Sequence, residues 1–100
     1  MNDDEWKYVG PGSIHNATIE AVERNGSEFS IQLRIYEGVL LKVLFTGVQH
    51  VIENEPIGMM VYSLSKRVAP APPYQYSFPN WDEGGKPRLE IVAEAFEIDT

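Results

Sequence analysis

Phe29-Ser30-Ile31-Gln32-Leu33-Arg34-Ile35-Tyr36-Glu37-Gly38-Val39-Leu40-Leu41-Lys42-Val43-Leu44-Phe45 carries Phe, Ile, Leu or Val at every odd position except 37. Successive side chains on a strand point to opposite faces, so an alternation this long predicts strands with one apolar face. The interruption at Tyr36-Glu37-Gly38 predicts the turn. With those three residues as the loop, Ile35 opposes Val39, Leu33 opposes Leu41, Ile31 opposes Val43 and Phe29 opposes Phe45. Every pair then shares the apolar face.

Upstream, Asn25-Gly26 suggests a two-residue hairpin turn. That turn pairs 24 with 27 and sets Ile31 against Glu20. A one-residue slip carries a strand's whole apolar set to the other face, so this register is disfavoured. A three-residue loop, Arg24-Asn25-Gly26 with Gly26 in the left-handed region, restores parity. It pairs Ala21 with Phe29, Ile19 with Ile31 and Ala17 with Leu33. The expectation is a three-stranded antiparallel meander over residues 17–45. Its second face mixes Glu20, Ser30, Gln32, Arg34 and Lys42 with Val22, Leu40 and Leu44.

Farther along, Thr46-Gly47-Val48 closes the third strand, and residues 49–55 read as a turn or a single helical turn. The run Ile57-Gly58-Met59-Met60-Val61-Tyr62-Ser63-Leu64 fits either period. Gly58 weakens a helix there by about 1 kcal/mol, so a strand is preferred. Ala69-Pro70-Ala71-Pro72-Pro73 lacks the donors of a ladder interior and reads as an extended linker. Tyr74 to Phe78 alternates as a strand, Asn80 to Pro87 reads as a polar hairpin loop, and Leu89 to Ile98 reads as a last strand. Apolar residues on both faces of that last segment suggest an inner strand, or one that bends between two packed layers. The fold class expected is mainly β: an antiparallel meander of five or six strands forming a small sandwich or curled barrel, with at most short helical turns. Residues 1–12 are expected to form a flexible arm, with Trp6 and Tyr8 docking on a single domain over 13–100.

A chain of 100 residues with 43% apolar content suits one globular unit. Without cysteine it offers no disulfide, thiolate zinc site or cysteine nucleophile. The acidic start, Met1-Asn2-Asp3-Asp4-Glu5, is unlike a secretory signal, and a cytoplasmic location is the expectation. No apolar run approaches the length that spans a bilayer. The formal charge is -7, and Lys66-Arg67 is the one adjacent basic pair, which disfavours nucleic-acid binding.

Candidate chemistry is sparse. His15 and His50 could join Asp82 or Glu83 on a metal, but their spacing does not match a ligand set. Ser13 near His15 lacks the third member and the oxyanion loop of a nucleophilic site. Glu20 and Glu90 lie on strands that could pair, but carboxylates on polar strand faces are ordinarily solvated. Gly84-Gly85 lacks phosphate-loop spacing. No catalytic residue, cofactor or metal ligand is assigned, and an enzyme is not expected. Trp and Tyr supply rigid contact area at interaction hot spots, which singles out Tyr74, Tyr76 and Trp81 as an aromatic centre, rimmed by Asp82, Glu83 and Glu94. The second sheet face around Leu40 and Leu44 could instead join a homodimer.

Four stretches carry a resemblance: Ile14-His15-Asn16-Ala17, Leu44-Phe45-Thr46-Gly47-Val48, Gly58-Met59-Met60-Val61-Tyr62 and Leu89-Glu90-Ile91-Val92-Ala93. They resemble small bacterial β-rich proteins, both uncharacterised families and immunity-type proteins that neutralise polymorphic toxins. That resemblance implies inhibition by occluding a toxin domain, without a shared catalytic motif, so no functional residue is carried over. The expected function is a non-enzymatic protein-binding module, an immunity-type inhibitor being one form. The alternative is a small-molecule-binding protein or small enzyme with a cavity between its sheets.

Overall fold

The computed structural model describes residues 6–81 and 88–99, and the long alternating segment lies at the middle of one of its two sheets. The strands are β1 (Trp6–Tyr8), β2 (Ala17–Asn25), β3 (Glu28–Arg34), β4 (Leu40–Thr46), β5 (His50–Asn54), β6 (Met60–Val61), β7 (Ser65–Arg67), β8 (Tyr74–Ser77), β9 (Arg88–Ala93) and β10 (Ala95–Asp99). One sheet runs β10-β4-β3-β2-β6 and the other β1-β7-β8-β9-β5, all neighbours antiparallel. The expected mainly-β architecture is therefore observed, with only two single 3-10 turns among the described residues, at Gly12–Ile14 and Tyr36–Gly38.

The β3–β4 register is the one read from the sequence, with Phe29, Ile31 and Leu33 opposite Phe45, Val43 and Leu41. Ile35 donates to the Val39 carbonyl at 2.8 Å, which closes the loop. The β2–β3 register corrects the expectation. Asn25 pairs with Glu28, so the turn is Gly26-Ser27, and Arg24 and Val22 oppose Phe29 and Ile31. Gly26 has φ +62° and leads the two-residue loop, the arrangement of a type II′ turn. Parity is restored inside the strand and not at the turn. The register shifts between Ile19 and Ala21, after which Ile19 faces Leu33 and returns to the core. Glu20, at this bulge, pairs with Arg34. A bulge inserts one unpaired residue and re-aims the chain, so apolar pattern and turn chemistry are both satisfied.

Residues 49–55 also differ from expectation. His50–Asn54 forms a strand paired with β9, not a helical turn. Its neighbouring apolar residues Val51 and Ile52 face opposite ways and are each half-buried, so no alternation marks it. The ambiguous run at 57–64 supplies the short β6 and the crossing into β7, with no helix. Of the expected amino-terminal arm, the described part from Trp6 forms β1, the edge strand beside β7.

The last segment bends between layers. Leu89, Ile91 and Ala93 of β9 are buried in one sheet, and at Glu94 the chain crosses to pair as β10 with β4 in the other. The apolar phase shifts with the crossing, from odd positions to Phe96 and Ile98. Phe45 from the β4 side meets Tyr76 and Phe78 from the β8 side, ring centres 5.0 and 6.2 Å apart. These rings lie in a continuous core that includes Ile31, Leu33 and Val43.

Burial raises the Tyr76 phenol above its ordinary value of 10.0, with the nearby Tyr74 phenol adding to the shift. A raised acid in the folded state means that the native protein holds a proton the unfolded chain gives up. The stabilisation is present below pH 10.0, the ordinary value, and is lost as pH rises through the folded value. Chemical denaturation between pH 8 and about 11.5 should therefore show falling stability, and Tyr76→Phe should flatten that decline. An equal slope in both proteins would refute the assignment.

Candidate functional site

Where the chain passes from β6 to β7 it leaves one sheet and enters the other, and Tyr62 stands at this crossing. The segment after β8 reaches back over it. Tyr62 donates its backbone N–H to the Pro79 carbonyl at 2.8 Å, and Trp81 donates to the Met60 carbonyl at 3.0 Å. Val61 and Asn80 form the bridge between these bonds. The edge strand β6 is thereby stitched to the continuation of β8 from the other sheet, and the stitching fixes Trp81 beside Tyr62. Their ring centres are 5.0 Å apart at 69°, an edge-to-face contact.

Two further rings complete the group. Tyr8, on β1, lies opposite Ser65, and its ring centre is 6.1 Å from that of Tyr62 at 56°. His15, just after the first 3-10 turn, packs at 5.0 Å from Tyr62 and 5.3 Å from Trp81. His15 Nδ1 donates to the Tyr62 carbonyl at 3.1 Å, and since a carbonyl only accepts, the neutral ring carries its proton there. A side-chain hydrogen bond with Tyr62, followed by the charge Tyr62 would carry, raises the Tyr8 phenol above its ordinary 10.0. The Tyr8 hydroxyl thus stays neutral through the physiological range.

The rings are held in place yet remain available. Tyr8 is 69% exposed, Trp81 42% and Tyr62 37%. With Pro79 and Asn80 they line an open cleft of about 430 Å³, and a smaller hollow of about 140 Å³ continues past His15 along Gly10, Pro11 and Gly12. Among the described residues, none that lines the larger cleft carries a formal charge. Compared with known proteins, the chain matches no family model, no curated protein and no solved structure.

Of the residues singled out in the sequence, Trp81 lies in this cleft. Tyr76 is 2% exposed and belongs to the core, where it is unavailable to a partner. Tyr74 is half-buried, and the Lys66 ammonium sits 3.8 Å from its ring centre. Glu94 is exposed at the β9–β10 crossing, beside the β4–β10 edge, whereas Trp81 adjoins β6 at the opposite edge of that sheet. Asp82 and Glu83 lie outside the described residues.

The other candidates separate. His50 begins β5, away from the His15 cluster, and among the described residues no three His, Cys, Asp or Glu side chains gather to hold a metal ion. Glu20 and Glu90 are on different sheets. Glu20 pairs with Arg34, and Glu90 accepts from Arg88 at 2.7 Å and from Gln75 at 3.3 Å. Sequence reasoning passed over Tyr62 and the contact role of His15. No periodicity marks either, because the cluster depends on pairing residues 60–62 with 79–81.

Proposed function

We propose that the protein is a non-catalytic protein-binding module that engages its partner through the Tyr8–Tyr62–Trp81 cleft. The observation that carries the reading is the convergence of three substantially exposed aromatic rings on one open cleft. Aromatic residues lose little rotamer freedom on contact and dominate interface energetics. These three are already braced by one another and by His15, so little ordering cost remains to be met on binding. Inhibition of the immunity type, by covering a partner domain, is one form such binding takes, and a cytoplasmic location belongs to the same proposal. The alternative of a ligand cavity between the sheets gains little support, since Phe29, Phe45, Tyr76 and Phe78 fill that space.

A second reading, self-association, rests on Val39 and Leu40, both exposed, and on half-buried Leu44 of the second sheet face. A monomer in sedimentation at working concentration would remove it.

The test of the main reading is Trp81→Ala. Affinity capture from the source cell, followed by titration of the captured protein, should show binding weakened by about 30-fold or more, as for a hot-spot aromatic. The thermal midpoint should move little because the ring is largely at the surface. Undiminished affinity in the variant would refute this face.

A further inference from the structure

We propose that the cleft between Tyr8 and Trp81 holds a methylated ammonium group, presented on a lysine side chain of the protein partner. This rests on the protein-binding reading and specifies its chemistry. Tyr62 touches both outer rings and meets each at a steep angle, 56° to Tyr8 and 69° to Trp81. The three rings consequently meet at angles instead of lying in a flat stack, with Tyr62 as the middle ring, and together they line the cleft. Aromatic faces are electronegative, and cations placed over them are attracted, most strongly over Trp. Among the described residues no basic side chain lines the cleft to oppose a cation, and the chain as a whole carries a net charge of -7.

The same features choose among cations. An unmodified ammonium brings three N–H donors that lose water on entry and need acceptors. Among the described residues the lining supplies ring faces, prolyl surface, two phenol hydroxyls and one amide side chain, Asn80, and no carboxylate to neutralise an ammonium. A methylated ammonium spreads its charge over carbons, needs no acceptor and packs against the rings. The cleft opens to solvent, so a head group carried on a flexible stem can enter. His15 serves as a positioning residue, its bond to the Tyr62 carbonyl and its contacts with two rings fixing Tyr62 against Trp81.

The experiment uses the full chain with Trp6→Phe, which leaves Trp81 as the sole indole reporter. Its fluorescence is followed, at constant ionic strength, against Nε-trimethyl-lysine amide, lysine amide, the neutral isostere with carbon in place of the nitrogen, and choline. The expected result is saturable binding of the trimethyl-lysine probe, about tenfold tighter than lysine amide and the isostere. Tyr8→Leu, a change on an exposed edge strand, should abolish the preference without moving the thermal midpoint. Equal affinity for the isostere or for lysine amide overturns the proposal, as does tighter binding of choline, which would point to a free small molecule. No saturation up to about 50 mM probe overturns it as well. If the titration fails while Trp81→Ala still loses its partner, the binding face stands and only the ammonium assignment falls. If Trp81→Ala keeps its partner, both fall.

Discussion

Replacing Leu33 by aspartate should leave the chain without a cooperative folding transition. Leu33 is fully buried near the end of β3, the middle strand of its sheet, with Ile19 opposite on one side and Leu41 on the other. Removing a core leucine side chain costs about 2–5 kcal/mol. A carboxyl group in its place adds several more, because it must enter the core either charged or as an unpaired acid. Against a total stability of about 5–15 kcal/mol for a domain of this size, the sum removes the folded state. Leu33→Met, which conserves volume, should cost less than about 1.5 kcal/mol. Far-ultraviolet circular dichroism during heating separates the outcomes. A sigmoidal melt in Leu33→Asp near the parent midpoint would show that this face is not the core.

Phe45→Ala should be the most damaging uncharged truncation. Phe45 projects from β4 and is in ring contact with Tyr76 and Phe78 across the core, and with Phe96 of β10 at 6.0 Å. Loss of a buried phenylalanine typically costs about 3–5 kcal/mol. Here the void would open between sheets, where neighbours on two separate backbones must both move to fill it. A cost near the upper end is expected, and Phe45→Leu should restore about half. Urea midpoints at constant m-value measure this directly. A loss below about 1 kcal/mol would mean that the sheets are coupled through other side chains.

The β3–β4 hairpin was readable because two independent signals agree there, a period of two and a loop ending in Gly38, which has φ +76°. The β2–β3 register differs from the expected one by three residues at the turn, where Ala21 faces Gln32 and not Phe29, and by two beyond the bulge, because a bulge changes parity without leaving a mark on composition. Glu20 is as polar in a bulge as on a regular outer face. The bend in the last segment was legible as apolar residues on both faces, and the crossing at Glu94 is its structural origin. The short strands β1, β5, β6 and β7 are too brief, or too evenly half-buried, for periodicity to register.

For the site, only Trp81 was legible, as a large aromatic in a polar stretch. Tyr76, chosen by the same criterion, fills the core, since residue type alone does not say on which side of a strand a ring falls. Tyr62 and His15 gain their roles from tertiary pairing, and no local property of the sequence encodes it.

The cleft and the closure of the sandwich share the same two hydrogen bonds, from Tyr62 to Pro79 and from Trp81 to Met60. If that edge parts, Trp81 swings away from Tyr62 and the cleft ceases to exist. Occupancy and closure are therefore thermodynamically linked. A ligand that requires both rings holds the edge shut by RT ln(1 + [L]/Kd), and any change that loosens the edge weakens the ligand in the same measure. Affinity can thus be tuned from residues that never touch the ligand, through the fraction of time the two sheets stay joined.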